Sequence, residues 1–133
     1  MSRRLETASN IWLTGASSGI GEALAKQLAT HGHRLIVTGR RKEALDALVN
    51  QHPEQMLAAP ADTTSKSDLE ALKDSLRHFG DLDVAILNAG TCEYLEIAEY
   101  DSRIIEANMI TNVVGTARSL DIALPALRAT RAK

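Results

Sequence analysis

The chain predicts an α/β fold, a doubly wound parallel sheet with helices on both faces, and three observations predict it. Short apolar runs alternate with helical stretches of about ten to fifteen residues. The runs are nearly continuous rather than alternating polar and apolar, the pattern of strands buried on both faces. The first run leads through a glycine-rich turn directly into a helix. Strand, helix, strand, helix in succession implies right-handed crossovers between parallel strands.

The first strand is the run at residues 11–13, Ile-Trp-Leu. Residues 14–21 follow as Thr-Gly-Ala-Ser-Ser-Gly-Ile-Gly, and a helix bearing alanine and leucine is expected over 22–31. That order builds a phosphate cradle. Glycines let the backbone approach an anion, and the first helical N–H groups point at it. The helix dipole adds about half a positive charge at that end. The glycines fall at Gly15, Gly19 and Gly21, a G-x-x-x-G-x-G spacing rather than G-x-G-x-x-G. A glycine-rich loop is common, so the strand–turn–helix context carries the weight. Ser17, Ser18 and Ile20 belong to the same turn. The serine hydroxyls suit phosphate contact; the alternative is helix N-capping, which fits Ser18 best.

The second run is 35–37, and the helix after it carries Leu45, Leu48 and Val49. The third run is 56–59. The helix after that carries Leu69, Leu72, Leu76 and Phe79 on one face, and opens with Ser65 and Asp68 at capping-box spacing. The fourth run is 84–87. The last stretch, 97–127, reads as one long helix. Ile105, Met109, Val113, Ala117, Leu120 and Leu124 mark one face, while Ile104, Ile110, Val114 and Ile122 lie off it. A helix apolar on two sides has two burial partners. One is the sheet; the other is a second subunit or protein outside this chain.

Bulk composition narrows the class. The 133 residues suffice for one domain with a real core and are too few for two. Hydrophobic residues make up 44% and charged residues 24%, ordinary values for a soluble globular protein. A net charge of −2 gives no reason to expect nucleic acid as a partner. No apolar run approaches the roughly 20 residues of a membrane span, so no membrane partner is expected. The first residues lack the apolar core of a signal peptide. The single cysteine, Cys92, has no internal disulfide partner, and a cytoplasmic location is the simplest expectation. The histidines, His31, His33, His52 and His78, show no ligand spacing, so no metal site is expected.

With these residues in view, the chain resembles the N-terminal, cofactor-binding half of a short-chain dehydrogenase/reductase. Residues 14–21 resemble that family's Thr-Gly-x-x-x-Gly-Ile-Gly motif. Asp62, after the third strand, resembles the acid that binds the adenine amino group. Asn88, Ala89 and Gly90, after the fourth strand, resemble its Asn-Asn-Ala-Gly motif, with Leu87 in place of the first Asn. Asn108 sits in an Asn-x-x-x-Asn-Val-x-Gly context like the family's active-site helix asparagine. The resemblance implies a Rossmann-like sheet of about four strands in order 3-2-1-4, ending before the fifth strand. It makes residues 1–133 a single dinucleotide-binding domain, incomplete relative to the family. It also implies hydride transfer between NADP(H) and a carbonyl or alcohol as the parent activity.

Each implied contact has a plainer competitor. Arg40 and Arg41 follow the second strand, where an acid binds ribose hydroxyls and an arginine accommodates a 2′-phosphate. No Asp or Glu occurs between Thr30 and Lys42, and a guanidinium suits a phosphate, which favours NADP over NAD. The competitor is two arginines solvating a helix start. Asp62 could instead cap the third helix, although Ser65 already serves that purpose. Asn88 to Gly90 also suits an ordinary strand-end turn.

The chain departs from the family in its catalytic core. The family's Ser and Tyr-x-x-x-Lys lie further along; here Tyr94 is followed at four residues by Ala98, and Tyr100 by Ile104. The chain alone is therefore expected to be inactive. Asn108 is its one residue matching the family's catalytic set, and without the Lys a structural role suits it. In the family the corresponding helix packs against its partner's copy. That implies a homo-oligomer through 97–127 or through the open edge of the fourth strand. The alternative function is a non-catalytic nucleotide-binding or subunit-interaction module.

Overall fold

A computed structural model of the protein describes residues 7–132. Residues 1–6, which bear the expectation about a signal peptide, and Lys133 lie outside the described residues. Four strands, β1 (Asn10–Thr14), β2 (Arg34–Thr38), β3 (Met56–Ala58) and β4 (Val84–Leu87), form one parallel sheet in the order β3-β2-β1-β4. The expected α/β sheet and its strand order are both present.

The two-residue period of a strand sends neighbouring side chains to opposite faces. Ile11, Leu13, Leu35 and Val37 go to one side, where α1 (Gly19–Thr30) supplies Ala25 and Ala29, and α2 (Lys42–Gln51) supplies Leu45 and Leu48. Trp12 and Ile36 go to the other. There they meet Leu69, Leu72, Leu76 and Phe79 of α3 (Lys66–Phe79), and Ile122 and Ala123 of a later helix. Trp12 is fully buried, and its indole N–H donates to the Thr38 hydroxyl at 3.0 Å. A buried indole donor requires such a partner. Burial on both faces holds for β1 and β2 only. At the sheet edges Leu57 of β3 is 46% exposed and every residue of β4 is half-buried, because an edge strand has one open flank.

The last stretch differs from one long helix. Ile97–Glu99 forms a separate 3-10 turn. Helix α4 (Ser102–Met109) then begins at Asp101, whose carboxylate accepts from the Arg103 N–H at 2.9 Å. A π-helical turn (Ile110–Val114) joins it to α5 (Gly115–Ala132). The extra residue of a π turn rotates everything after it. The face through Ile105, Met109, Val113 and Leu120 lies exposed, while Gly115, Ser119, Ile122 and Ala123 are buried, Gly115 against the loop after β3. Ile122, which lies off the main apolar stripe, is the buried isoleucine. The second burial surface is thus made of small residues, which the hydrophobic pattern does not mark.

Two capping expectations also shift. Ser18 occupies the N-cap position of α1, but its side chain makes no capping bond. Ser65 does cap α3, accepting from the Asp68 N–H at 3.3 Å. The capping box is not closed in return: Asp68 Oδ2 accepts instead from the backbone N–H of Asp62, at 2.8 Å. Among the described residues no helix is long and apolar enough to cross a membrane, and no cluster of three or more His, Cys, Asp or Glu side chains gathers to hold a metal.

Candidate functional site

Parallel strands end together, so the loops after β1, β2, β3 and β4 converge on one edge of the sheet. They enclose a cleft of about 300 Å³, lined by Gly15, Ser17, Ser18, Gly19 and Ile20 after β1, and by Thr38, Gly39 and Arg40 at the end of β2. Ala61, Asp62 and Thr63 line it after β3; Asn88, Ala89, Gly90 and Thr111 complete it.

The glycine turn fits a pyrophosphate. Gly15 and Gly19 have φ of +69° and +57°, a region that side chains rarely tolerate. A Cβ on Gly21 would overlap the carbonyl oxygen of Gly15, and one on Gly15 would lie 2.9 Å from the Ala89 Cα. The turn is therefore closed on its protein side and bare towards the cleft. Helix α1 starts there, and its first amides face the same space. Because the Ser18 hydroxyl does not cap α1, N-capping does not account for Ser18.

At the second strand end the two arginines part. Arg40 lines the cleft and is exposed. Arg41 is strapped to the glycine turn, donating from Nη2 to the Ser17 carbonyl at 3.0 Å. Between them and the turn, Gly39 packs so closely that a Cβ would sit 2.8 Å from the Ser17 hydroxyl oxygen.

Asp62 stands at the third strand end. Its Oδ1 accepts from the Thr64 N–H at 2.9 Å and the Thr64 hydroxyl at 2.7 Å, so it builds a local turn and does not cap α3. Partial desolvation pushes its carboxyl up, but the Thr64 bonds and the Arg40 charge outweigh that and hold it below its ordinary value.

After β4 the loop is tied inward. The Asn88 side-chain amide donates to the Gly15 carbonyl at 3.3 Å, and the Ala89 N–H donates to the buried Thr14 hydroxyl at 3.0 Å. Two asparagines of the α4–α5 segment hold the chain that follows. Asn112 accepts from the Thr91 N–H and donates to the Thr91 carbonyl, both at 2.7 Å. Asn108 makes a looser pair with Glu93, at 3.4 and 3.5 Å. Four residues apart, the two amides grip alternate residues of an extended backbone. Asn112 is the nearer to the cleft: a Cβ on Gly90 would lie 3.2 Å from its Oδ1. Sequence reasoning singled out Asn108 and passed over Asn112, although both stand in the same motif. It also passed over Thr38, Thr63 and Thr111, whose places in the cleft depend on which loops meet.

Residues 9–133 match the family model for short chain dehydrogenases. The chain belongs to that family. An uncharacterized oxidoreductase of Staphylococcus epidermidis is 34% identical over 116 residues, covering 86% of this chain and 50% of the relative. One from Staphylococcus aureus is 34% identical over 117 residues, covering 86% and 51%. Among solved structures, a short-chain dehydrogenase of Streptomyces avermitilis superposes with a TM-score of 0.84 at 34% identity, over 93% of this chain and 46% of that one. L-sorbose reductase of Gluconobacter frateurii, solved with NADPH and L-sorbose, gives 0.80 at 26% identity, over 94% and 49%. The chain spans about half the length of the relatives it matches.

This short-chain dehydrogenase portion thus carries the family's nicotinamide-dinucleotide-binding fold, and its cleft opens where such a sheet receives the cofactor. The bound cofactor would supply the hydride chemistry. The residues of the cleft offer a bare cradle, a cation, a carboxylate and a backbone shelf to hold it.

Proposed function

We propose that the chain is the NADP(H)-binding portion of a short-chain dehydrogenase/reductase whose parent activity moves hydride between NADP(H) and a carbonyl or alcohol. The observation that carries the NADP preference is Arg40, which lines the cleft at the end of β2 with no acidic residue between Thr30 and Lys42 to claim a ribose hydroxyl. Gly15, Gly19, Gly21, Ser17, Ser18 and Ile20 hold the pyrophosphate side. Arg40 takes the 2′-phosphate, and Arg41 supports the turn from behind. Asp62 takes the adenine amino group, and Asn88, Ala89 and Gly90 border the nicotinamide-side ribose. The NADPH complex of the L-sorbose reductase neighbour supports this reading.

Residues 1–133 act as one dinucleotide-binding domain in the cytoplasm. No Tyr-x-x-x-Lys occurs among them, so the chain orients a cofactor without turning it over. Asn108 serves structure here. A second reading, a subunit-interaction module, draws on the exposed face through Ile105, Met109 and Val113. In both readings the chain self-associates through that face or through the open edge of β4.

Titration of NADPH and NADH against the wild-type chain and Arg40→Ala tests the reading. Losing a charge-assisted phosphate contact costs about 1.5–3 kcal/mol, roughly ten- to 150-fold in NADPH affinity, with NADH unaffected. Equal affinities that the substitution leaves unchanged would overturn the NADP assignment.

A further inference from the structure

The loop after β3 is held from outside the cleft. Three consecutive residues, Asp62, Thr63 and Thr64, each meet a different anchor. The Asp62 N–H donates to Asp68 Oδ2 in the first turn of α3, at 2.8 Å. Thr63 is buried, and α5 approaches so closely that a Cβ on Gly115 would lie 3.2 Å from the Thr63 hydroxyl oxygen and 3.3 Å from its carbonyl oxygen. The Thr64 carbonyl accepts from Arg118 Nη1 at 3.4 Å. Gly115 and Arg118 are three residues apart on α5 and share a face.

That stretch of α5 is itself fixed. The buried Ser119 hydroxyl donates to the Gly115 carbonyl at 2.8 Å, the Thr116 hydroxyl donates to the Asn112 carbonyl at 2.9 Å, and the Gly115 N–H donates to the Ile110 carbonyl across the π turn. Ile122 and Ala123, just beyond, are buried in the core with Trp12 and α3. A helix anchored in the core yields less than a loop at the mouth of a cleft. The Asp62 carboxylate in turn takes its direction from Thr64, whose N–H and hydroxyl it accepts.

On the reading of Asp62 as the adenine contact, we infer that Gly115 and Arg118 are positioning residues: α5, acting through Thr63 and Thr64, sets where the Asp62 carboxylate stands in the cleft. Neither residue lines the cleft. Alanine at 115 would press on a backbone carbonyl as well as a hydroxyl. The loop must then give by a few tenths of an ångström. A hydrogen bond from the adenine amino group to Asp62 weakens with that displacement, because hydrogen bonds tolerate little loss of distance or angle.

The test titrates the 133-residue chain with NADPH and with its 1,N6-etheno derivative, whose exocyclic adenine nitrogen is tied into a ring and cannot donate. Wild type should prefer NADPH by about three- to tenfold, the worth of one hydrogen bond. Gly115→Ala and Arg118→Met should each bring that preference towards unity while affinity for the etheno derivative stays put. Arg118→Lys, which keeps a donor on a similar stem, should restore part of it. The better helix propensity of alanine offsets the cost of displacing the loop, so the melting temperature of Gly115→Ala should change little. A merely structural role would weaken both ligands together. That result, or variants that keep the wild-type preference, overturns the inference and leaves the cofactor reading standing. A wild type that binds both ligands equally overturns the role of Asp62. One that binds neither overturns the cofactor reading, and the inference with it.

Discussion

From β1 to the end of α3 most large apolar side chains turn inward, with Ile20 in the glycine turn and Leu57 on the edge strand left exposed. Trp12, Ile36, Leu45 and Leu72 all sit in closed clusters on one face of the sheet or the other. From Thr91 onward the same kinds of side chain turn outward. Tyr94 and Ile97 are 92% and 94% exposed, and Met109 is 53% exposed. The contrast lies in the partners, not in the composition. The central strands of the first region have α1 and α2 on one face, and α3 with the buried side of α5 on the other. The later one meets the core through Ile122, Ala123 and Leu127, leaving Ile105, Met109 and Val113 largely exposed. The cleft stands at the junction. Its glycine turn rests on the closed region, and its far wall depends on the asparagines of the open one.

The largest effect should come from the closed region. Trp12→Ala removes a fully buried ring and leaves the Thr38 hydroxyl without its donor. Denaturant titration should show a loss of about 3–5 kcal/mol. The same measurement on Ile105→Ala, on the exposed face, should show less than about 1 kcal/mol in a monomer. Comparable losses at the two sites would erase the distinction between the regions.

Gly21→Ala comes next. The new methyl would overlap the Gly15 carbonyl, so either the turn or α1 must move. Overpacking of this kind costs about 1–3 kcal/mol in stability. Isothermal titration should find NADPH binding abolished while the circular dichroism spectrum stays α/β. Binding at wild-type strength would mean that the turn is not the cradle.

Smaller in stability, but diagnostic of the open region, is Val114→Asp. Exposed patches beyond a few hundred Å² usually mark an interface, and β4 is an unpaired edge beside it. Light scattering at micromolar concentration should show a dimer or larger assembly for wild type, and a lower mass for the variant, where a charge meets an isologous contact. A well-folded monomer in both cases would make the exposed face inert.

The smallest effect concerns pH. The Asp62 carboxyl lies below its ordinary value of 3.8 in the folded chain, so the unfolded chain takes up that proton first. The stability it contributes is present above that ordinary value and drains as pH falls through the folded one. Asp62→Asn should therefore lose a little stability at neutral pH and flatten the acid limb, so that the two curves converge below the folded value. An identical acid limb would show that Thr64 and Arg40 do not hold the carboxylate.

Much of the cleft was legible in local chemistry. Gly15, Gly19 and Gly21 announce a turn without side chains, and Arg40 announces a cation where β2 ends, because each signal rests on neighbours in sequence. The apolar runs likewise placed the strands, since burial on two faces leaves no polar alternation. Asn112 was harder to see. Beside Asn108 it differs by nothing in composition, and only the π turn decides which amide reaches Thr91 next to the cleft. The long stripe through Ile105, Met109 and Val113 misled for a related reason: hydrophobic periodicity marks the wider apolar face, not the face that fits.

Sequence by itself determined the α/β class, the strand order that the family resemblance carries, and most of the residue types that line the cleft, because periodicity and turn chemistry are local. Tertiary structure alone decided that Arg40 lines the cleft while Arg41 braces Ser17 and that Asp68 holds the Asp62 backbone. It also decided that α5 meets the core through Ile122 and Ala123, and the loop after β3 through Gly115. Those outcomes depend on how closely two backbones approach. Close approach is granted by small side chains, and a hydrophobic pattern does not register them.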